Sequence, residues 1–193
     1  MMKPLILASM SPRRVELLRQ IGCQFDIIPS HVSEELPPGL DPASAVMELA
    51  LRKARSVAAN ITTGMVIGAD TVVVSDGVIL GKPEDHGDAV RMLTKLSGKV
   101  HSVFTGLAVV DASEKIERVD YVETKVWFRK LDPEEIEFYV ASGEPLDKAG
   151  AYGIQGLGAI LVEKIDGCYF NVVGLPLSKL VMILRELGVS IAR

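Results

Sequence analysis

Two clusters in this chain combine residue types and spacings suited to phosphate chemistry. The first is Ser9-Met10-Ser11-Pro12-Arg13-Arg14. Ser11 before a proline reads as an N-cap with Pro at the first helical position, so both arginines fall in the opening turn of a helix. The helix dipole is positive there, and each cation is disfavoured by roughly 0.3–1 kcal/mol unless an anion offsets it. A phosphate group would do so, because helix N-terminal amides, serine hydroxyls and forked guanidinium groups all suit phosphate oxygens. The plain alternative is that Ser11 only caps, while the arginines lie in solvent or pair with Glu16. The second cluster is Gly68-Ala69-Asp70-Thr71. Asp70 interrupts an apolar strand, where a carboxylate is costly to bury without a metal, a lysine or several hydrogen bonds. Gly68 would let a ligand approach the backbone closely.

Other candidates surround these two. On a helix of 3.6-residue period, Lys53 shares a face with Val46, Leu49, Ala50 and Val57, while Glu48, Arg52 and Arg55 lie opposite. Lys53 therefore either snorkels outward or reaches a polar cleft where an anion compensates it. Asp76-Gly77 is a two-residue hairpin turn, and counting across it places Lys82 opposite Thr71. An edge-strand lysine that discourages aggregation is the alternative for Lys82. Glu34 and Glu35 form an acidic loop pair that either ligates a metal or is simply solvated. Gly150-Ala151-Tyr152-Gly153-Ile154-Gln155-Gly156 offers backbone amides and one side-chain amide able to read a base edge, or else is a flexible connector. His31, His86 and His101 show no ligand spacing. Arginines, lysines and at least one carboxylate suited to a hard divalent cation together point to phosphate chemistry.

These residues need elements to position them. Pro4–Ala8 reads as a strand, followed by a helix from Pro12 to about Ile21. An amphipathic helix runs from Asp41/Pro42 to about Ala59, then strands Met65–Ser75 and Val78–Leu80. Gly87–Leu96 is a helix closed by Gly98, and Val100–Val110 and Val122–Phe128 are strands. Asp132-Pro133-Glu134-Glu135 starts a helix with a capping-box carboxylate that stops at Gly143. After the Gly-rich segment, Ala159–Ile165 and Tyr169–Val173 read as strands and Leu177–Leu187 as the last helix. Alternation at the start and hairpins in the middle predict an α/β or α+β fold with a mixed sheet.

The 193 residues, 48% apolar and 24% charged, fit one globular domain over 1–193, with a single core or two closely packed lobes. A formal charge of −4 argues against nucleic-acid polymers and anionic membranes as partners, so a polyanion handled here must be small. No apolar run nears the roughly 20 residues of a membrane span, and the start is unlike a secretory signal, which predicts a cytoplasmic protein. Cys23 and Cys168 are isolated and read as reduced thiols.

The sequence resembles the Maf nucleotide pyrophosphatases. The matching segments occur in family order: Ala8–Arg14, Ala50–Ala54, Gly68–Val73, Gly81–Pro83, Gly143–Gly156 and Phe170–Leu177. The resemblance implies metal-dependent hydrolysis of a nucleoside triphosphate to monophosphate and pyrophosphate, with magnesium or manganese. It also implies two lobes on a long twisted mixed sheet flanked by helices, like the inosine-triphosphate pyrophosphatases, with a central cleft as active site and a homodimeric assembly. Carried over position by position, Asp70 is the proton acceptor or a metal ligand. Ser9, Ser11, Arg14, Lys53 and Lys82 bind phosphates and stabilise developing charge, with Lys53 and Lys82 grouped with Asp70 as catalytic, and Glu34 helps hold the metal. Arg13, Thr71 and Gln155 match the branch acting on dTTP and UTP. Ser33 and His31 stand where acidic residues are common, so the metal-holding loop lacks a charge. A non-catalytic nucleotide sensor of septum formation is the rival from another class, and a purine-specific pyrophosphatase the rival within the same chemistry.

Overall fold

A computed structural model describes residues 3–37 and 39–191. In chain order the elements are β1 (Leu5–Leu7), α1 (Pro12–Gln20), β2 (Phe25–Ile27), α2 (Pro42–Ala58), β3 (Met65–Ser75), β4 (Val78–Leu80) and α3 (His86–Leu96). They continue with β5 (Val100–Asp111), β6 (Glu117–Phe128), α4 (Pro133–Ala141), β7 (Val162–Asp166), α5 (Tyr169–Val173) and α6 (Leu177–Glu186). The strands form one seven-stranded sheet in the order β2-β1-β3-β5-β6-β7, with β4 paired to β3. The sheet is mixed: β1 is parallel to β2 and β3, whereas β3/β4 and β6/β7 are antiparallel.

The chain divides into two compact units. One takes the chain up to Asp70, Thr105–Val122 and the segment from Gly174 onward; the other takes Thr71–Phe104 and Glu123–Val173. Each has its own apolar core. In the first, Ala50, Ala54 and Val57 of α2 pack with Ile6, Val66, Ala108 and Val110 of the strands. In the second, Leu93 and Leu96 of α3, Ile136 and Val140 of α4, and Val126, Phe128 and Tyr152 are buried together.

Small residues let α2 lie unusually close to its strands. A Cβ on Gly68 would come within 2.2 Å of the Ala50 carbonyl oxygen, and one on Gly106 within 2.1 Å of the Val46 carbonyl oxygen. Gly68 therefore serves helix packing, which corrects the expectation that its missing side chain admits a ligand. Asp41 caps α2 by accepting from Ser44 N at 3.1 Å, as its position before Pro42 predicts.

Local turn signals were reliable. Asp76 and Gly77 both adopt positive φ, the twist required by a tight hairpin, and Val73 pairs with Leu80 as counted. The α4 capping box is present, with Asp132 N donating to the Glu135 carboxylate at 3.0 Å.

Three readings need correction. Tyr169–Val173 is helix α5, its turn closed by hydrogen bonds from Asn171 N and Val172 N to the Cys168 carbonyl. The stretch beginning at Ala159 belongs to a 3-10 turn, Gly156–Leu161, and the strand starts only at Val162. β6 opens at Glu117, five residues before the alternating apolar run revealed it. Strand β2 and a 3-10 turn at Glu144–Asp147 were not anticipated. Both cysteines are free, and among the described residues no helix is long and apolar enough to cross a membrane.

Candidate functional site

The tight seating of Ala50 and Ala54 on Gly68 fixes the position of Lys53, which lies between them on α2 and reaches Asp70 two residues further along β3. Lys53 Nζ donates to Asp70 Oδ1 at 2.7 Å and to Glu34 Oε1 at 2.6 Å. The Lys53 and Asp70 side chains are each only 12% exposed, while Glu34 is 60% exposed. One ammonium thus gathers a buried and a solvent-facing carboxylate. Lys53 does not snorkel outward, and Asp70 has the partner its burial demands. The loop of Glu34 is itself tied to α2, because Arg52 donates to the carbonyls of Ser33 at 3.1 Å and Glu35 at 2.9 Å.

The serine–arginine cluster lies in the same unit. Ser11 occupies the N-cap position of α1, but its side chain makes no capping bond; its amide instead donates to Ser9 Oγ at 3.2 Å. Arg14 Nη1 also donates to Ser9 Oγ, at 3.3 Å, and Arg14 Nε donates to the Gly174 carbonyl at 2.7 Å. Partial burial lowers the pKa of Arg14; Asp70 and Glu34 oppose that shift and Arg13 adds to it. The guanidinium still stays charged, since its ordinary value is far above neutral. Arg13 lies half-buried in the same first turn. The opening of α1 therefore presents cations where the helix dipole is already positive, and no acidic residue occupies its first turn.

Thr71, Lys82 and Gln155 belong to the second unit. The register of β3 and β4 agrees with a Thr71–Lys82 opposition, but the paired ladder stops at Val73 and Leu80. Beyond it the Gly81 carbonyl accepts from Gly150 N at 2.9 Å, which ties that end of the hairpin to the Gly-rich segment. Lys82 is exposed, and Gln155 is half-buried between Gly153 and a positive-φ Gly156. His101, assigned no role from sequence, is buried with Nε2 2.8 Å from the Tyr152 hydroxyl, and burial lowers its pKa to about 4.

Sequence reasoning missed three contributors. Gly174 supplies the carbonyl that aims Arg14, and its only signal was membership of the Phe170–Leu177 segment. Tyr139 and Glu144 hold the loop of Gln155; Glu144 was signalled only by lying in the Gly143–Gly156 segment, and nothing in the sequence marks out Tyr139.

As for chemistry, Asp70 and Glu34 offer hard oxygen donors beside cationic groups. No cluster of three or more His, Cys, Asp or Glu exists among the described residues. Any cation held here would draw its remaining ligands from water or from a bound anion, the usual manner of magnesium with phosphates.

The model of the family described as Maf-like protein matches residues 4–187. A dTTP/UTP pyrophosphatase of Moorella thermoacetica is 55% identical over 190 residues, covering 98% of each chain. One from Desulforamulus reducens is 52% identical over 98% of this chain and all of its own. Among solved structures, a HAM1 protein from Coxiella burnetii matches with a TM-score of 0.54 over 96% of this chain at 17% identity, a likeness of fold alone. The extent of the family match and the identity to these relatives show that this chain belongs to the Maf-like protein family.

Proposed function

We propose that this chain is a nucleoside triphosphate pyrophosphatase that hydrolyses dTTP and UTP to the monophosphate and pyrophosphate. The observation that carries the reading is the Lys53 bridge between Asp70 and Glu34, in the same unit as the Ser9–Arg14 cluster. In this reading Asp70 is the water-activating carboxylate and Lys53 and the arginines are the phosphate-binding cations; relatives matching along nearly the whole chain carry that activity in their names, which supports it.

In this reading the α–β anhydride bond breaks, water supplies the new oxygen, and pyrophosphate leaves. Asp70 accepts the proton of the attacking water through the oxygen not bonded to Lys53. Ser9, Ser11, Arg14, Lys53 and Lys82 bind phosphate oxygens, and the cations offset charge that grows as the leaving group departs. Arg13, Thr71 and Gln155 recognise the pyrimidine nucleotide. Asp70 and Glu34 would hold magnesium or manganese, which when bound would neutralise part of the phosphate charge. A homodimer in the cytoplasm completes the proposal.

The test is pyrophosphate release from a panel of purine, pyrimidine and modified triphosphates, with magnesium, with manganese and with chelator. Metal-dependent release that favours dTTP and UTP is the expected result. A purine preference would overturn the base assignment, and saturable binding of nucleotide without turnover would point to a sensor.

A further inference from the structure

The loop that carries Gln155 is held by a hydrogen-bond circuit within the second unit. The Glu144 carboxylate receives three donors: the Tyr139 hydroxyl at 3.0 Å and Gly158 N at 3.1 Å on Oε1, and Leu157 N at 3.0 Å on Oε2. The Tyr139 hydroxyl in turn accepts from Gly153 N at 3.1 Å. The circuit therefore grips the backbone on both sides of Ile154-Gln155-Gly156.

The fit leaves no room for adjustment. A Cβ on Gly156 would stand 2.6 Å from Glu144 Oε2, and one on Gly158 would stand 2.2 Å from the Gly153 carbonyl oxygen. Just before this loop, Tyr152 is anchored to buried His101. Burial alone would raise the Glu144 pKa, but the amides of Leu157 and Gly158, the Tyr139 hydroxyl and nearby Lys148 outweigh it and lower the pKa. The carboxylate is thus charged at neutral pH, and charge-assisted bonds of this kind are stronger and more directional than neutral ones.

We infer that Glu144, relayed through Tyr139, is a positioning residue for base recognition: it fixes the backbone that aims the Gln155 amide at the edge of a pyrimidine base. The inference rests on the proposed role of Gln155 as a reader of the base. A loop free to rotate would present its donor and acceptor in several orientations, whereas a clamped one offers a single pattern, and discrimination follows from the groups a wrong base leaves unpaired.

The experiment compares kcat/KM for dTTP and dGTP in wild type, Glu144→Gln, Tyr139→Phe, Gln155→Ala and the Glu144→Gln/Gln155→Ala double variant. Thermal melts run alongside, and kinetics are measured where every variant is folded. Glu144→Gln and Tyr139→Phe are each expected to lower the dTTP-to-dGTP ratio by about tenfold, mainly through KM for dTTP. In the Gln155→Ala background the Glu144→Gln change should leave the ratio where Gln155→Ala alone put it. Lower melting temperatures with an unchanged ratio in both single variants would overturn the inference and leave Glu144 a structural residue. Additive loss in the double variant would overturn it as well, because Glu144 would then act independently of Gln155. A wild-type ratio in Gln155→Ala would instead overturn the base-reading role of Gln155, and the inference with it. Should Glu144→Gln fail to fold, Tyr139→Phe carries the same test.

Discussion

Asp70 and Asp111 are buried aspartates of the same unit, at 9% and 2% exposure, and each meets a lysine. Their surroundings nevertheless differ in kind. Asp111 is closed on every side: Oδ2 accepts from Lys3, and Oδ1 accepts from Ser113 N at 3.0 Å, Ser113 Oγ at 2.8 Å and Glu114 N at 3.1 Å. Burial alone would raise its pKa, but these bonds outweigh burial and lower it to about 2. Asp70 takes a single side-chain bond among the described residues, from Lys53 on Oδ1, and the same lysine is shared with Glu34. A carboxylate that only holds a turn together has both oxygens committed. In the proposed reading Asp70 keeps its second oxygen for the attacking water.

The largest expected effect falls on Asp70. Asp70→Asn keeps an acceptor for Lys53 and leaves Glu34 as its counter-charge, so melting should change by only a few degrees. Steady-state turnover of dTTP should fall about 100- to 10,000-fold, the usual worth of a general base. Near-normal turnover would erase the distinction between the two aspartates.

Next comes Lys53→Met, which should reduce turnover by about 100- to 1,000-fold through the loss of an electrostatic contact. The same variant should bind manganese alone more tightly than wild type in calorimetry, because the cation that sits between Asp70 and Glu34 is gone. Weaker manganese binding would show that these carboxylates are not the metal ligands.

Asp111→Asn should do the opposite of Asp70→Asn. Its depressed pKa contributes about 2 kcal/mol of stability, so melting should drop by about 4–8 °C while kcat stays at the wild-type value. The sign with pH follows from the same linkage. This contribution is fully present above the unfolded-state value of about 4 and is lost as pH falls through about 2. Acid titration of stability should therefore be shallower between pH 5 and pH 2 in the variant, a smaller effect seen by denaturant melts.

How much of this was legible in sequence depended on how local the cause was. Asp76-Gly77 specified its hairpin because both positive-φ residues are adjacent, and Asp41 and Asp132 announced their helices by caps within one turn. Lys53 was legible as an anomaly, a lysine on an apolar face, although its partners lie 17 and 19 residues away. Tyr169–Val173 was misread because a five-residue stretch, apolar but for Asn171, has no resolvable period. Bonds from Asn171 Nδ2 to the Val103 carbonyl and Thr124 Oγ1, far away in sequence, secure that helix. Gly68 was misread for a related reason, since the backbone that approaches it belongs to a helix some fifteen residues earlier. β2 has only three residues, two of them exposed, and its parallel pairing with β1 leaves no turn signal.

Single-turnover conversion of dTTP to dTMP and pyrophosphate, measured side by side in wild type, Asp70→Asn and Asp111→Asn at a temperature where all three are folded, separates a catalytic aspartate from a structural one. The Asp111 variant should convert dTTP at the wild-type rate, whereas the Asp70 variant should bind the nucleotide and convert almost none. Conversion by Asp70→Asn at the wild-type rate would contradict the catalytic role of Asp70.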